Sequence, residues 1–244
     1  MRRRARKNGS NEGFRSNPFV VLTDMTIGLT FFFAMFSVVS ALANSQALLL
    51  VARQDRQKAV REECVKIFGS GTRSEERGPS KESRHTAVLD SKGQILAQIW
   101  ENGNFQRIKI YLPMFQGQRN SQLTPAGRQL LVAMARIFKK HAREFAYLFT
   151  HGITEPAEFG VGDAARRQAL LNSRERADAV YNVLVSAGAI AKPELGDVPP
   201  NAIASKYAIS YGTGSELYFK SRLLTSKLAG RVDIVLFYTD DEMN

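Results

Sequence analysis

The sequence has very few of the residues that build disulfides, metal centres and catalytic sites. Cys64 is its only cysteine, so no disulfide framework can form within one chain. The three histidines, His85, His141 and His151, are widely spaced and accompany no cysteine cluster, which argues against a metal site. No serine lies in a recognisable nucleophile-elbow motif. We therefore expect neither an enzyme nor a protein that holds a metal or a cofactor.

Negative charge is scarce at the N-terminus, although the chain as a whole carries a formal net charge of +11. Glu12 is the only acid in the first sixteen positions, which hold six basic residues: Arg2, Arg3, Arg4, Arg6, Lys7 and Arg15. A basic tail directly before an apolar run is the signal that keeps a segment in the cytoplasm. We predict a cytoplasmic tail over residues 1–16 and no nucleic-acid partner.

Charge is almost absent from the segment that follows, since Asp24 is the only charged residue between Pro18 and Leu42. A helix of this length rises roughly 37 Å, which is enough to cross a hydrocarbon core of about 30 Å. Asn17 is a suitable cap, and proline is favoured at the first helical position. The pattern predicts a transmembrane helix over residues 17–43, with Asp24 about 9 Å inside it on the cytoplasmic side.

Two other interpretations of this segment stay open. The helix could begin later, with Asp24 as its cap and residues 25–43 as the span. The segment could also be a secretory signal that is cleaved after the A-x-A site Ala41-Leu42-Ala43. The apolar region is longer than the usual signal core and continues through Ala47-Leu48-Leu49-Leu50, which favours a retained anchor.

Asp24 is the candidate ion-carrying residue. A carboxylate inside a bilayer costs about 3 kcal/mol on insertion scales, and such residues usually face a protein partner or a water-filled path. Beside it runs a stripe of small residues at spacings of three or four, flanked by Gly28: Thr23, Thr26, Thr30, Ala34, Ser37 and Ala41. Small residues let membrane helices approach closely, so the stripe predicts a parallel homodimer. Because one helix cannot form an ion path, a multi-span membrane partner is implied.

Beyond the span, the pattern predicts a helical extension on the far side over residues 44–68, as a coil with its twin. Cys64 near its end would be either an intersubunit disulfide or a plain unpaired thiol. Glycine, serine and charged residues dominate 69–84, which predicts a linker.

One globular domain is predicted over residues 85–240. Strands are expected at 85–95, 105–112, 145–150, 205–211 and 231–238, with a turn at 101–104. One helix begins at Thr124-Pro125, and a second runs from Asp163 to Gly188. The order ββ-α-β-α-β-β predicts an α+β fold, an α/β sandwich of one mixed sheet with helices on one side.

Several short motifs of this domain occur in a known family order. Phe115 and Leu123-Thr124-Pro125-Ala126-Gly127 are similar to the F…LTPxG segment of OmpA-like peptidoglycan-binding domains. Gly152-Ile153-Thr154-Glu155 lies where that family has G-H-T-D, and residues 173–177 (SRERA) match its LSxxRA. Gly212-Thr213-Gly214 resembles the family's G-x-G turn, and residues 231–234 (RVDI) resemble the end of its NRRVEI. The resemblance covers residues 86–238.

The resemblance implies a site for the diaminopimelate of a wall peptide. In that family the aspartate and the arginine of these motifs hold the carboxylate and the amine of the diaminopimelate. A guanidinium–carboxylate pair is chemically suited to such a contact. Carried over, the candidate peptidoglycan-binding residues are Thr154, Glu155, Ser173, Arg176 and Arg231. The departures from the family pattern include these: Glu155 replaces the aspartate, Ala169 an asparagine, Asn172 a leucine and Gly230 an arginine.

A single span with its N-terminus inside, followed by such a domain, resembles the B subunit of flagellar stators. Residues 22–26 (LTDMT) are comparable to that family's segment around its ion-carrying aspartate. The short chain is more similar to the B subunit of the Zorya anti-phage defence system, a stator relative. The resemblance implies a bacterial inner-membrane motor in which a ring of A-type subunits surrounds a B dimer anchored to peptidoglycan. Protons are preferred to sodium as the ion, and a cell-wall tether without transport is the alternative function.

Overall fold

The computed structural model describes residues 18–69, 72–77, 83–117, 119–154, 160–192, 198–212 and 232–239. The chain divides into two compact units, Met1–Leu50 and Val51–Asn244.

The first unit consists of the N-terminal part of helix α1, which spans Pro18–Ile67. Its apolar side chains are exposed, and Phe32 stacks on Phe36 with ring centroids 6.5 Å apart. By length and composition, this helix could cross a membrane. An apolar window within Met25–Ile67 has mean hydropathy 2.0, and none of that window is buried inside the protein. Because α1 begins at Pro18, Asp24 lies inside the helix and is not its cap.

The second unit is built on a seven-stranded mixed sheet in the order β1-β2-β3-β4-β7-β5-β6. The strands are β1 (Thr72–Arg77), β2 (Ser83–Leu89), β3 (Ile95–Asn102), β4 (Phe105–Ile110), β5 (Phe145–Gly152), β6 (Ala208–Gly212) and β7 (Val232–Tyr238). Neighbouring strands are antiparallel except β5 and β6, which are parallel. Helix α2 (Pro125–Lys140) lies between β4 and β5 in sequence, and α3 (Asp163–Ser186) between β5 and β6. This confirms the predicted α+β fold.

The core lies where helix faces meet the sheet. Residues of alternating strand positions, such as Ile108 and Ile234, pack with Leu131 and Phe138 of α2. The predicted start of α2 is also observed, since the Thr124 hydroxyl accepts a hydrogen bond from the Gly127 amide at 3.0 Å. Burial of these apolar side chains is the main stabilising term of the unit.

The predicted linker over 69–84 needs correction, because β1 and the start of β2 lie within it. β1 pairs antiparallel with β2 from Thr72↔Leu89 to Arg77↔Arg84. Its sequence, TRSEER, is rich in charge, as edge strands often are. The linker prediction, which is based on polar composition alone, therefore does not include these strand residues.

A strand was also missed, since the predicted strand at 85–95 is two strands joined by a turn. The Asp90 carboxylate accepts hydrogen bonds from the amides of Lys92 and Gln94, at 2.8 and 2.7 Å. Gly93 has φ 76°, a conformation that favours glycine. The turn separates β2 from β3, and β3 pairs with both β2 and β4.

The predicted helical extension over 44–68 is the second half of α1. Part of its surface is buried within this chain, so a second copy cannot contact that part. Val60, Arg61 and Cys64 are fully or almost fully buried against the sheet. The Gln57 side chain donates to the Gly103 carbonyl at 3.0 Å, and Arg61 forms an ion pair with Glu101. This face is therefore not available for a coiled coil, and the buried Cys64 thiol is not placed for an intersubunit disulfide.

Candidate functional site

The side chain of Arg176 is the centre of a buried polar cluster. It projects from α3 and has no exposed surface. Nε donates to the Asn120 carbonyl at 3.1 Å, Nη2 to the Gly117 carbonyl at 3.1 Å, and Nη1 to the Thr154 hydroxyl at 3.2 Å. The guanidinium carbon lies 4.9 Å from the centre of the Phe115 ring. The arginine thus joins α3 to the end of β5 and to the loop before α2.

Asn172 extends this cluster and was not predicted as a site residue. Its side-chain oxygen accepts from the Thr154 hydroxyl at 3.1 Å, and its side-chain nitrogen donates to the Arg119 carbonyl at 3.1 Å. Asn172 lies four residues before Arg176, so the two share a helix face. That spacing was visible in the sequence, whereas the loop carbonyls that complete the cluster carry no sequence signal.

Two glycines bring α3 close enough to the strands for this cluster to form. A Cβ on Gly152, the last residue of β5, would lie 1.8 Å from the Ser173 carbonyl oxygen. A Cβ on Gly212, the last residue of β6, would lie 2.3 Å from the Arg174 nitrogen. No other residue type fits at such distances. The glycines of the two motifs therefore serve close helix–strand packing.

Ser173 lies in the same turn of α3 as the cluster. It is fully buried, and its hydroxyl donates to the Leu170 carbonyl at 2.7 Å. The structure thus brings Thr154, Ser173 and Arg176 together at the ends of β5 and β6. Glu155 and Arg231, the other two predicted wall-binding residues, lie outside the described residues.

The candidate ion-path residues lie within one stretch of α1. The Thr26 hydroxyl donates to the Leu22 carbonyl and the Thr30 hydroxyl to the Thr26 carbonyl, both at 2.8 Å. Such bonds satisfy hydroxyl groups within the helix itself. A Cβ on Gly28 would meet nothing within 4 Å, so this side of the helix is open. Thr23 is exposed, and for Asp24 the helical backbone alone is described.

A metal centre is not found in the part of the chain that the structure describes. No three residues of the types His, Cys, Asp or Glu are grouped there so that they could hold an ion.

Neither a protein-family model nor a curated protein matches the sequence. Solved structures do match. A putative MotB-like protein from Desulfovibrio vulgaris is 14% identical, with a TM-score of 0.51, over 80% of this chain and 99% of that one. The fold is MotB-like.

Two further structures have lower scores. The periplasmic domain of Helicobacter pylori MotB has a TM-score of 0.47 at 14% identity, over 65% of this chain and 90% of that domain. The cell wall anchor of the T6SS from Pseudomonas aeruginosa has 0.41 at 13% identity, over 59% of this chain and 89% of that one.

Proposed function

We propose that this chain is the B-type subunit of a proton-driven motor in the bacterial inner membrane. Asp24 carries the ion, and the unit from residue 51 onward anchors the complex to peptidoglycan. The observation that supports this most is the combination found in one chain. An apolar helix able to cross a membrane, whose only charge between Pro18 and Leu42 is Asp24, precedes a domain with a MotB-like fold.

The helix supplies half of an ion site. A carboxylate at membrane depth is expensive to keep unless it faces a water-filled path or a partner. Thr23, Thr26 and Thr30 recur at spacings of three and four in α1, and Gly28 lies one turn after Asp24. Small side chains of this kind let a second copy of the helix approach. A ring of multi-span A-type subunits around the resulting dimer would supply the other half.

The Arg176 cluster is the proposed contact with the wall peptide. Its guanidinium has no exposed surface, and its nitrogens donate to loop and strand oxygens. A ligand carboxylate would replace the carbonyls of Gly117 and Asn120, so wall binding requires that loop to shift. Glu155, next to Thr154, and Arg231 are proposed as further ligands on the strength of the family resemblance.

The proposal is tested by Asp24→Asn in the host, with Asp24→Glu as the matched control. The asparagine side chain cannot bind and release a proton here, whereas the glutamate carboxyl group can. We expect Asp24→Asn to fail to complement a deletion strain, while detergent extracts still show the multi-span partner bound to it. Cytoplasmic pH, followed with a fluorescent reporter, should show no proton entry in that variant.

A tether without transport makes the opposite prediction. Asp24→Asn would then complement fully, and Arg176→Ala would be the damaging change. Full activity of Asp24→Asn would end the motor proposal. Complementation is scored by phage plating and by swimming, because we propose anti-phage defence as the process and flagellar motility is the alternative.

A further inference from the structure

The solvent-facing side of α2 carries positive charge and no negative charge. The helix contains no acidic residue and four cations: Arg128, Arg136, Lys139 and Lys140. At 100° per residue, Arg128, Arg136 and Lys139 fall within an arc of about 80°. Both arginines are exposed and Lys139 is half-buried. The cations therefore form one row along the outer side of the helix.

Among the residues that the structure describes, acids do not neutralise this row. Within the residues that the structure describes, Lys140 pairs with Glu63 at 2.6 Å, but Arg128, Arg136 and Lys139 have no acidic partner. Arg136, Lys139 and Lys140 are three and four residues apart, and like charges at those spacings repel on a helix. Such a face is unfavourable in the isolated protein and suited to an anionic partner.

The surface beside the row is concave. A depression of about 570 Å³ on one side of Arg128 is lined by residues of the loop before α2 and of α3, among them Gln116, Gln122 and Asn182. A second, of about 400 Å³, runs from Arg128 to Arg136. A third, of about 430 Å³, is lined at the end of α2 by three cations, Lys139, Lys140 and Arg143, and by one acid, Glu144. We call these three depressions the α2 groove.

The α2 groove begins beside the Arg176 cluster. The loop that contributes Gln116 and Gln122 to the groove also contains Gly117 and Asn120, whose carbonyls accept from Arg176. From there α2 extends for 16 residues, or about 24 Å. An extended polymer held at the Arg176 cluster could thus continue along the row of cations.

We propose that the α2 groove is a docking surface for a carboxylate-bearing polymer of the cell wall. This inference rests on the proposed anchoring function. Guanidinium groups bind carboxylates through two parallel hydrogen bonds, which matches the two exposed arginines. Among the described residues that line the groove the only aromatic ring is the buried imidazole of His141, so the bases of a nucleic acid would find no exposed stacking platform.

The test is binding of the detergent-solubilised full chain to purified peptidoglycan sacculi, measured at low and high salt. The variant Arg128→Glu/Arg136→Glu/Lys139→Glu reverses the row. The control Lys58→Glu/Lys92→Glu/Lys206→Glu makes the same change of charge on other exposed lysines. We expect the row variant to bind about tenfold more weakly than the control at low salt, with a smaller difference at high salt. The glutamine versions of the same three positions serve if the glutamate variant does not fold.

The outcomes separate this inference from the proposed function. If the unaltered chain does not bind sacculi, both the anchoring function and the groove are overturned. If it binds and the row variant binds equally well, the groove alone is wrong. Equal weakening of row and control variants, or row-dependent binding to double-stranded DNA as tight as to sacculi, would also overturn it.

Discussion

The Cys64 thiol lies in the core, where α1 packs against the sheet. Burial, with a smaller contribution from the nearby Glu63 charge, raises the pKa of this thiol to about 12. Only the thiolate reacts readily with alkylating reagents. We expect Cys64 to resist maleimide at neutral pH in the native chain and to react fully in denaturant. A Ser186→Cys substitution on the exposed side of α3 is the positive control, and rapid native labelling of Cys64 would contradict the packing.

Arg61 and Glu101 form a buried ion pair within a hydrogen-bonded network. The Gln106 amide donates to Glu101 and to the Gln57 carbonyl, both at 3.0 Å, and the Tyr238 hydroxyl donates to Gln106 at 2.8 Å. Desolvation raises the pKa of Glu101, and the attraction of Arg61 offsets part of that rise. The network couples the second half of α1 to the sheet.

Removal of one partner should therefore cost more than removal of both. We expect Arg61→Met to lower the free energy of unfolding by about 3 kcal/mol or more, because it leaves Glu101 buried without its cation. The double variant Arg61→Met/Glu101→Leu should recover much of that loss. Chemical denaturation followed by circular dichroism measures both values.

The Arg61–Glu101 pair also predicts that the free energy of unfolding depends on pH. A raised carboxyl pKa means that the folded state holds its proton more tightly than the unfolded state, so stability falls as pH rises through the window between the two pKa values. Arg61→Met removes the attraction that opposes the rise, so its destabilisation should be larger at pH 7.5 than at pH 5. An equal loss at both pH values would show that Glu101 does not titrate in this way.

At the scale of elements, the ends of β5 and β6 decide where α3 lies. In Gly152→Ala the added methyl carbon would lie 1.8 Å from the Ser173 carbonyl oxygen, so β5 and α3 must move apart. We expect the free energy of unfolding to fall by about 3 kcal/mol, which is the upper end of the usual range for overpacked sites. Wall binding should be lost as well. Gln168→Ala, an exposed position on α3, is the matched control and should change stability by less than about 0.5 kcal/mol. A well-tolerated Gly152→Ala would contradict the close approach of α3.

At the scale of the whole molecule, the proposed topology places the N-terminal tail in the cytoplasm and the sheet-bearing domain in the periplasm. The buried Cys64 gives a low labelling background, so single cysteines can report the side of the membrane. We expect a Ser186→Cys chain to react with an impermeant maleimide in cells with a permeabilised outer membrane, and a Ser10→Cys chain to react only after lysis. The reverse pattern would contradict the N-in orientation, and loss of residues before Asn44 from the mature chain would favour the cleaved signal.

The apolar helix, the two amphipathic helices and most strands could be predicted because their signals are local. Thr124-Pro125 marks the start of α2, and Gly188, with φ 75°, follows the end of α3. The strand β1 could not be predicted, since its charged residues resemble a linker until a partner strand pairs with them. The turn at Asp90–Gly93 has a local sequence signal, although the pattern over 85–95 predicts one strand there.

The sequence by itself determined the position of Asp24 in an apolar helix and the presence of Arg176 in a family-like motif, because hydropathy and spacing are properties of neighbouring residues. Tertiary structure alone decided what surrounds Arg176 and which face of α1 is buried. The carbonyls of Gly117 and Asn120 and the partner of Arg61 come from distant parts of the chain. Backbone oxygens are the same in every residue, so only folding shows which of them a side chain reaches.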